Sequence, residues 1–192
     1  MQKRSLSLAS PIGHSLAGIV CALAGSPRSG GFWRWICFGI FAGIAADLDF
    51  IPGLLVGDVN KYHHGLSHSI TAALIFGLMA SYLSRWLQAS AFRIGLVGML
   101  GYGSHLLLDY LTYDGRAPYG IPLFWPLDDH YWSSPYPIFV GIKHGVPGDA
   151  LTESVIQGLS WHNLYAIGVE LALVPVVLLV WYLRYFKKPR LR

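Results

Sequence analysis

Charge is scarce in this sequence. Only 12% of the 192 residues are Asp, Glu, Lys or Arg, about half the roughly 25% of an ordinary soluble domain. Hydrophobic residues make up 54%, and the mean hydropathy is +0.46. Together these favour an integral membrane protein over a soluble one. Cysteine is nearly absent. Cys21 and Cys37 both lie in apolar segments, which excludes a disulfide framework and any Cys-x-x-Cys metal knuckle. There is no internal repeat and no low-complexity tail. The basic residues form no nucleic-acid patch, because they sit in short turns and the C-terminal stretch, where membrane topology already accounts for them. No nucleic-acid partner is expected; membrane lipids are.

What the chain does have is a series of apolar segments. Ser10-Pro11 is a helix start, with Ser as N-cap and Pro at the first helical position. The segment that follows runs uncharged to Pro27, about 17 residues or roughly 25 Å of helix. That is marginal against a hydrocarbon core of roughly 30 Å. It could span or be re-entrant. A cleaved leader also fits its basic start and the small residues of ALAGS, but Pro11, Gly13 and His14 stand where the apolar core of a leader should begin.

The second segment runs from Phe32 to Phe50 and is expected to end at Pro52-Gly53. The third covers Gly65 to Leu87 and the fourth Ala91 to Thr112, joined by a short turn that implies an antiparallel pair. Residues 113–162 read as one extramembrane loop rich in Pro, Gly, Trp and Tyr, with no period of its own. Its aromatics suit either the membrane interface or substrate contact. The last segment, Asn163 to Phe186, contains one charge before its C-terminal end, Glu170, placed to support a site or to pair with a neighbouring helix. The expected fold is all-α: a single integral membrane domain over residues 1–192, a multi-pass bundle of about five helices with the long loop before the last.

Five spans sort the charges by side. Arg28, Arg34, Arg85, Arg93, Arg184, Lys187, Lys188, Arg190 and Arg192 fall on one face, with no acid and no histidine. Lys3, Arg4, Lys61, Arg116 and Lys143 fall on the other, with all eight histidines and every acid except Glu170. The positive-inside rule puts the first face in the cytoplasm, so the histidine-rich face is expected to be extracytoplasmic.

On that face the acids and imidazoles collect at helix ends. His14 opens the first segment. Asp47 and Asp49 close the second, in ADLDF. His63, His64 and His68 precede the third, in KYHHGLSHS. His105 and Asp109, in HLLLD, close the fourth and lie on one helical face. Asp47 and Asp49, two apart, would point to different sides of a regular helix, so both reach one ion only if the helix frays or bends there. Such residues at membrane depth are costly unless paired or metal-bound. Imidazole plus carboxylate suits zinc first, then manganese or iron. The expected ligands are drawn from His14, Asp47, Asp49, His63, His68, His105 and Asp109. His130, His144 and His162 have no spacing that argues for coordination.

These motifs, DLDF, then H-x-G-x-S-H-S over His63–Ser69, then HLLLDYLT and PLFWPL, resemble the YdjM-type family of membrane-bound metal-dependent hydrolases. The likeness covers roughly residues 10 to 127. It implies an inner-membrane, LexA-associated protein with a metal-dependent activity. Ala46 stands where the family usually has proline, and His64 where it commonly has arginine. The H-x-x-x-D element is also similar to one in zinc-dependent phospholipase C enzymes.

Two functional classes follow. One is a hydrolase of a phosphoester or other bond in a lipid-like substrate. There a bound ion would supply activated water, Asp49 would accept a proton and His64 would steady the developing oxyanion. The other is a non-enzymatic membrane protein whose cluster is structural, or a scaffold for a partner. An ion transporter ranks last, because only Glu170 lies deep in a segment.

Overall fold

The computed structural model describes residues 6–27, 31–58, 61–114, 119–144 and 151–186. Lys3, Arg4, Arg28, Arg116, Lys187, Lys188, Arg190 and Arg192, used above to sort the two faces, lie outside the described residues. A strand β1 (Leu6–Leu8) leads into α1 (Pro11–Gly25). Next come α2 (Phe32–Leu55), α3 (Ile70–Leu87) and α4 (Ala91–Tyr110). A second strand β2 (Ile142–His144), a short helix α5 (Leu151–Gly158) and the long α6 (Trp161–Tyr185) complete the chain. The fold is all-α. Five helices form the bundle, and β1 with β2 makes a two-stranded antiparallel ribbon, Leu6 opposite His144.

Four helices, α2, α3, α4 and α6, are long and apolar enough to cross a membrane. The fifth, α1, has 15 residues, about 22 Å of helix, and falls short. It is nevertheless central, packed against α2, α4 and α6. The outer faces of the long helices stay apolar: Leu74, Leu78 and Met79 on α3, Phe92 and Leu100 on α4, and Leu178 and Leu179 on α6 are all exposed. An apolar surface facing outward is what a hydrocarbon solvent requires.

Helix starts follow the local chemistry. Ser10, Ser69, Ser90 and Ser160 each accept a backbone N–H in the first turn of α1, α3, α4 and α6. Close packing comes from small residues, as in other membrane bundles. A Cβ on Gly18 would strike the carbonyl of Gly39, and one on Gly43 would strike the carbonyl of His14. These bare positions let α1 and α2 touch backbone to backbone.

Two expectations are corrected. The second helix does not stop at Phe50. It tightens into a 3-10 turn over Ala45–Asp49 and resumes as α-helix from Phe50 to Leu55. Pro52 then falls in the first turn of the resumed helix, where proline is best tolerated. The loop before α6 is not featureless. It contains β2 and α5, and its backbone is tied to the bundle. Ser134 N and Ile138 N donate to Tyr110 O and Leu111 O at the end of α4, both at 2.8 Å. Ile70 N donates to Leu123 O at 2.9 Å, and Thr71 Oγ1 to Trp125 O at 2.7 Å, at the start of α3. Ile121 from this segment is fully buried among Ala45, Ala46, Ala73, Tyr102 and Leu106. Without a repeating pattern, non-local pairings of this kind leave no trace in the chain.

Candidate metal centre

The alternating helix directions bring the start of α1, the 3-10 turn of α2, the 61–69 segment and the end of α4 to one end of the bundle. All seven expected ligand residues lie there in one connected cluster. His14 and Asp109 approach at 3.3 Å, Asp109 and His105 at 3.0 Å, and Asp109 and His68 at 3.6 Å. Asp47 lies 3.7 Å from His68 and 3.5 Å from His105. Asp49 lies 3.2 Å from His68 and 2.9 Å from His63. His14, His68, His105 and Asp109 are buried.

The 3-10 turn explains how Asp47 and Asp49 share a site. On an α-helix, residues two apart point roughly 160° away from each other, at about 100° per residue. At about 120° per residue in a 3-10 turn the divergence falls to roughly 120°. The expected bend is thus a tightening, whose own small residues Ala45 and Ala46 pack with Ala73, Tyr102, Leu106 and Ile121.

Hydrogen bonds set which nitrogen of each imidazole faces inward. His105 Nδ1 donates to the carbonyl of Gly43 at 2.8 Å, so its Nε2 carries the lone pair. His68 Nδ1 faces Asp49 Oδ2 at 3.2 Å and Ser67 Oγ at 3.1 Å. Ser67 Oγ also donates to Asp49 Oδ2 at 2.9 Å. A histidine whose outer nitrogen is held by a carboxylate has the usual second contact of a metal-binding imidazole. The two Nε2 atoms stand 3.2 Å apart, so a proton or a cation must lie between them.

The donor atoms can be tested against an ion. His68 Nε2, His105 Nε2, Asp47 Oδ1 and Asp109 Oδ2 define five measured edges of 3.0, 3.2, 3.5, 3.6 and 3.7 Å. A tetrahedron with metal–ligand bonds of about 2.0–2.2 Å has edges of roughly 3.3–3.6 Å. The five edges bracket that range, and the donor types suit a divalent ion such as zinc. Asp49 is not a corner of this tetrahedron; both its oxygens are taken by His63, His68 and Ser67.

The electrostatics point the same way. Burial opposes a charge on His68, but the carboxylates of Asp47, Asp49 and Asp109 outweigh it and push the imidazole up to about 10. The centre therefore attracts a cation, and a metal ion would displace that proton. His64 is the opposite case. Burial, then the neighbouring His63 and His68, holds it well below the ordinary imidazole range. Its backbone is left-handed, φ 61°, which is uncommon for a residue with a side chain. Its Nε2 is buried with no hydrogen-bond partner, as is Nδ1 of His14. His64 packs its ring against His63 and His68, with centroids 4.8 and 4.9 Å apart.

Residues matching the YdjM inner membrane protein family run from 10 to 189, nearly the whole chain and the whole cluster. The chain belongs to the YdjM inner membrane protein family. No curated protein and no solved structure matches it. The family match reaches well beyond the 10–127 stretch that carries the motifs, through the long loop and α6.

Some contributors were not singled out from the sequence. Tyr102 donates its hydroxyl to Ser67 O at 2.7 Å and so holds the His68 segment. Its place one turn before His105 was the available signal. Gly43 contributes only a carbonyl, which no side-chain pattern reveals. Glu170 turns out not to touch the cluster. It accepts from Ser10 N at 2.6 Å and from Ser10 Oγ, clasping α6 to the start of α1. A carboxylate at a helix N-terminus is favourable, and here it holds the turn that carries His14. Exposed His130 pairs with half-buried Asp128 at 2.6 Å, and His162 donates to Gly141 O at 3.0 Å, both apart from the cluster.

Proposed function

We propose that this YdjM-family protein is a membrane-bound metal-dependent hydrolase acting on a phosphoester, or a similarly hydrolysable bond, of a lipid-like amphiphile. The observation that carries the reading is the convergence of His68, His105, Asp47 and Asp109, with contacts of 3.0–3.7 Å, and with His68 oriented by Asp49 and His105 by the Gly43 carbonyl. When bound, a divalent ion of the zinc type acts as a Lewis acid and makes water acidic near neutral pH. His63, whose Nδ1 lies 2.9 Å from Asp49 Oδ1, takes up a proton with the carboxylate behind it. That pair replaces Asp49 acting alone, whose oxygens are already engaged. His64, neutral and with an unpartnered buried Nε2, offers one N–H to a developing negative charge.

A lipid-like substrate is favoured by position. The centre lies at one end of helices fit to span a membrane. The aromatics Tyr113, Phe124, Trp132, Tyr136 and Trp161, on the loop or at the start of α6, are exposed at that same end. Such residues suit the headgroup level. The charge sorting supports an extracytoplasmic position for this end. The test is metal analysis of the purified protein, with hydrolysis assays on lipid phosphoesters. Stoichiometric metal, lost in His68→Ala and Asp109→Ala, is the expected outcome. Metal-free wild-type protein, or variants that keep their metal, would overturn the reading.

One observation favours a structural reading. Four protein ligands close a tetrahedral site, as structural zinc sites do, whereas catalytic sites keep a position open. Cobalt-substituted protein whose visible spectrum ignores added inorganic phosphate would support that alternative.

A further inference from the structure

We infer that the cluster is built for two divalent ions side by side, bridged by Asp109, with His14 the ligand that makes the second position. The inference rests on the metal-centre reading above and goes beyond it.

The carboxylate of Asp109 divides its two oxygens. Oδ2 faces His105 Nε2 at 3.0 Å and His68 Nε2 at 3.6 Å. Oδ1 faces His14 Nε2 at 3.3 Å. The His14 and His105 rings are stacked, with centroids 3.7 Å apart and planes 17° from parallel. Each Nε2 therefore addresses its own oxygen of a single carboxylate. That is the arrangement of a carboxylate bridging two ions, which in two-metal sites lie about 3.5–4 Å apart.

The His14–Asp109 contact is long for a hydrogen bond. Asp109 Oδ1 is buried, and its contact with His14 Nε2, at 3.3 Å, lies outside good hydrogen-bond geometry. A buried acceptor held in poor hydrogen-bond geometry is rare in native proteins. A cation between the two atoms would take a lone pair from each. Asp47 can join them: one of its oxygens, a His14 nitrogen and a His105 nitrogen all lie within 4.8 Å of one another.

The two positions then differ in kind. His68, His105, Asp47 and Asp109 close the first. His14, Asp47 and Asp109 give the second three protein ligands and leave room for substrate or solvent, as catalytic sites do. The conflict between a closed site and a hydrolytic function disappears, because the chemistry belongs to the second position.

The test uses the full chain in detergent, stripped with a chelator and titrated with cobalt(II), followed by visible absorption and by metal content. Wild type is expected to take up two ions per chain, and His14→Ala one, with the absorption of the first ion retained. His14→Gln guards against a folding defect in the alanine variant, with helicity checked by circular dichroism. Wild type saturating at one ion, or both variants still holding two, would overturn the inference while leaving the metal centre standing. Wild type that binds none would overturn the metal-centre reading itself.

Discussion

The two ends of the bundle are built on opposite terms. At the end far from the cluster, Trp35, Phe38, Leu87, Ile94 and Val97 form a dry core with Ala22 and Ala80. Its few polar atoms are discharged at once: Trp35 Nε1 donates to Leu87 O at 3.2 Å, and Arg34 to Trp86 O at 2.9 Å. At the other end, small residues and the buried Ile121 surround a knot of imidazoles and carboxylates. The first end is self-sufficient, since burial and packing stabilise it with no partner required. The second carries desolvation costs that its internal contacts only partly offset. Cost concentrated at one end, on a scaffold held at the other, is what a binding site on a rigid support looks like.

That contrast can be broken from either side. The largest effect is expected from Trp35→Ala, which empties a fully buried site of the dry core and should cost about 3–5 kcal/mol of stability. Unfolding in detergent would measure it, and the folded fraction should keep its metal content; coupled loss of metal would mean that the two ends are not independent.

A smaller effect in the other currency is expected from Asp49→Asn. It removes the carboxylate behind His68 and His63 and should weaken metal affinity about 10–100-fold, with little change in the unfolding of the far end. Competition with a chelator reads this directly, and an unchanged affinity would return Asp49 to a role as a solvated helix-end charge.

The smallest effect sharpens the comparison with a charge pair outside the cluster. His130 is raised from the ordinary imidazole range by its hydrogen bond to Asp128 and by the charges of Asp128 and Asp129. Asp128 is lowered by its bonds from His130. A raised histidine contributes stability below its ordinary range and loses that contribution as pH rises through the raised value. With His130 exposed, the pair should matter little to folding. Asp128→Asn should bring His130 back down toward the ordinary range in an NMR titration, while metal content stays constant.

Much of the cluster was legible because helix direction alternates along the chain. Once the apolar segments were counted, His14, the Asp47–Asp49 pair, the His63–His68 run and the HLLLD element had to meet at one end. The Ser10-Pro11 start was legible for a local reason, since cap and proline act within one turn. The contacts of Glu170 were not legible: its charge was visible, but its partner lies 160 residues away, at Ser10. Nor was the structure inside the 113–162 segment, whose short elements are held by non-local backbone pairings.

By itself, then, the sequence determined the membrane character, the number of apolar helices and the end of the bundle where ligand chemistry gathers, because hydropathy and spacing are properties of contiguous residues. Tertiary structure alone decided the rest. It tightened α2 so that Asp47 and Asp49 share a centre, set Asp49 against His63, His68 and Ser67, and used the bare Gly43 to bring α1 and α2 together and to hold His105. It also stacked His14 on His105 over the two oxygens of Asp109. Those outcomes depend on backbone approach and ring orientation between segments distant in the chain, which composition and period do not encode.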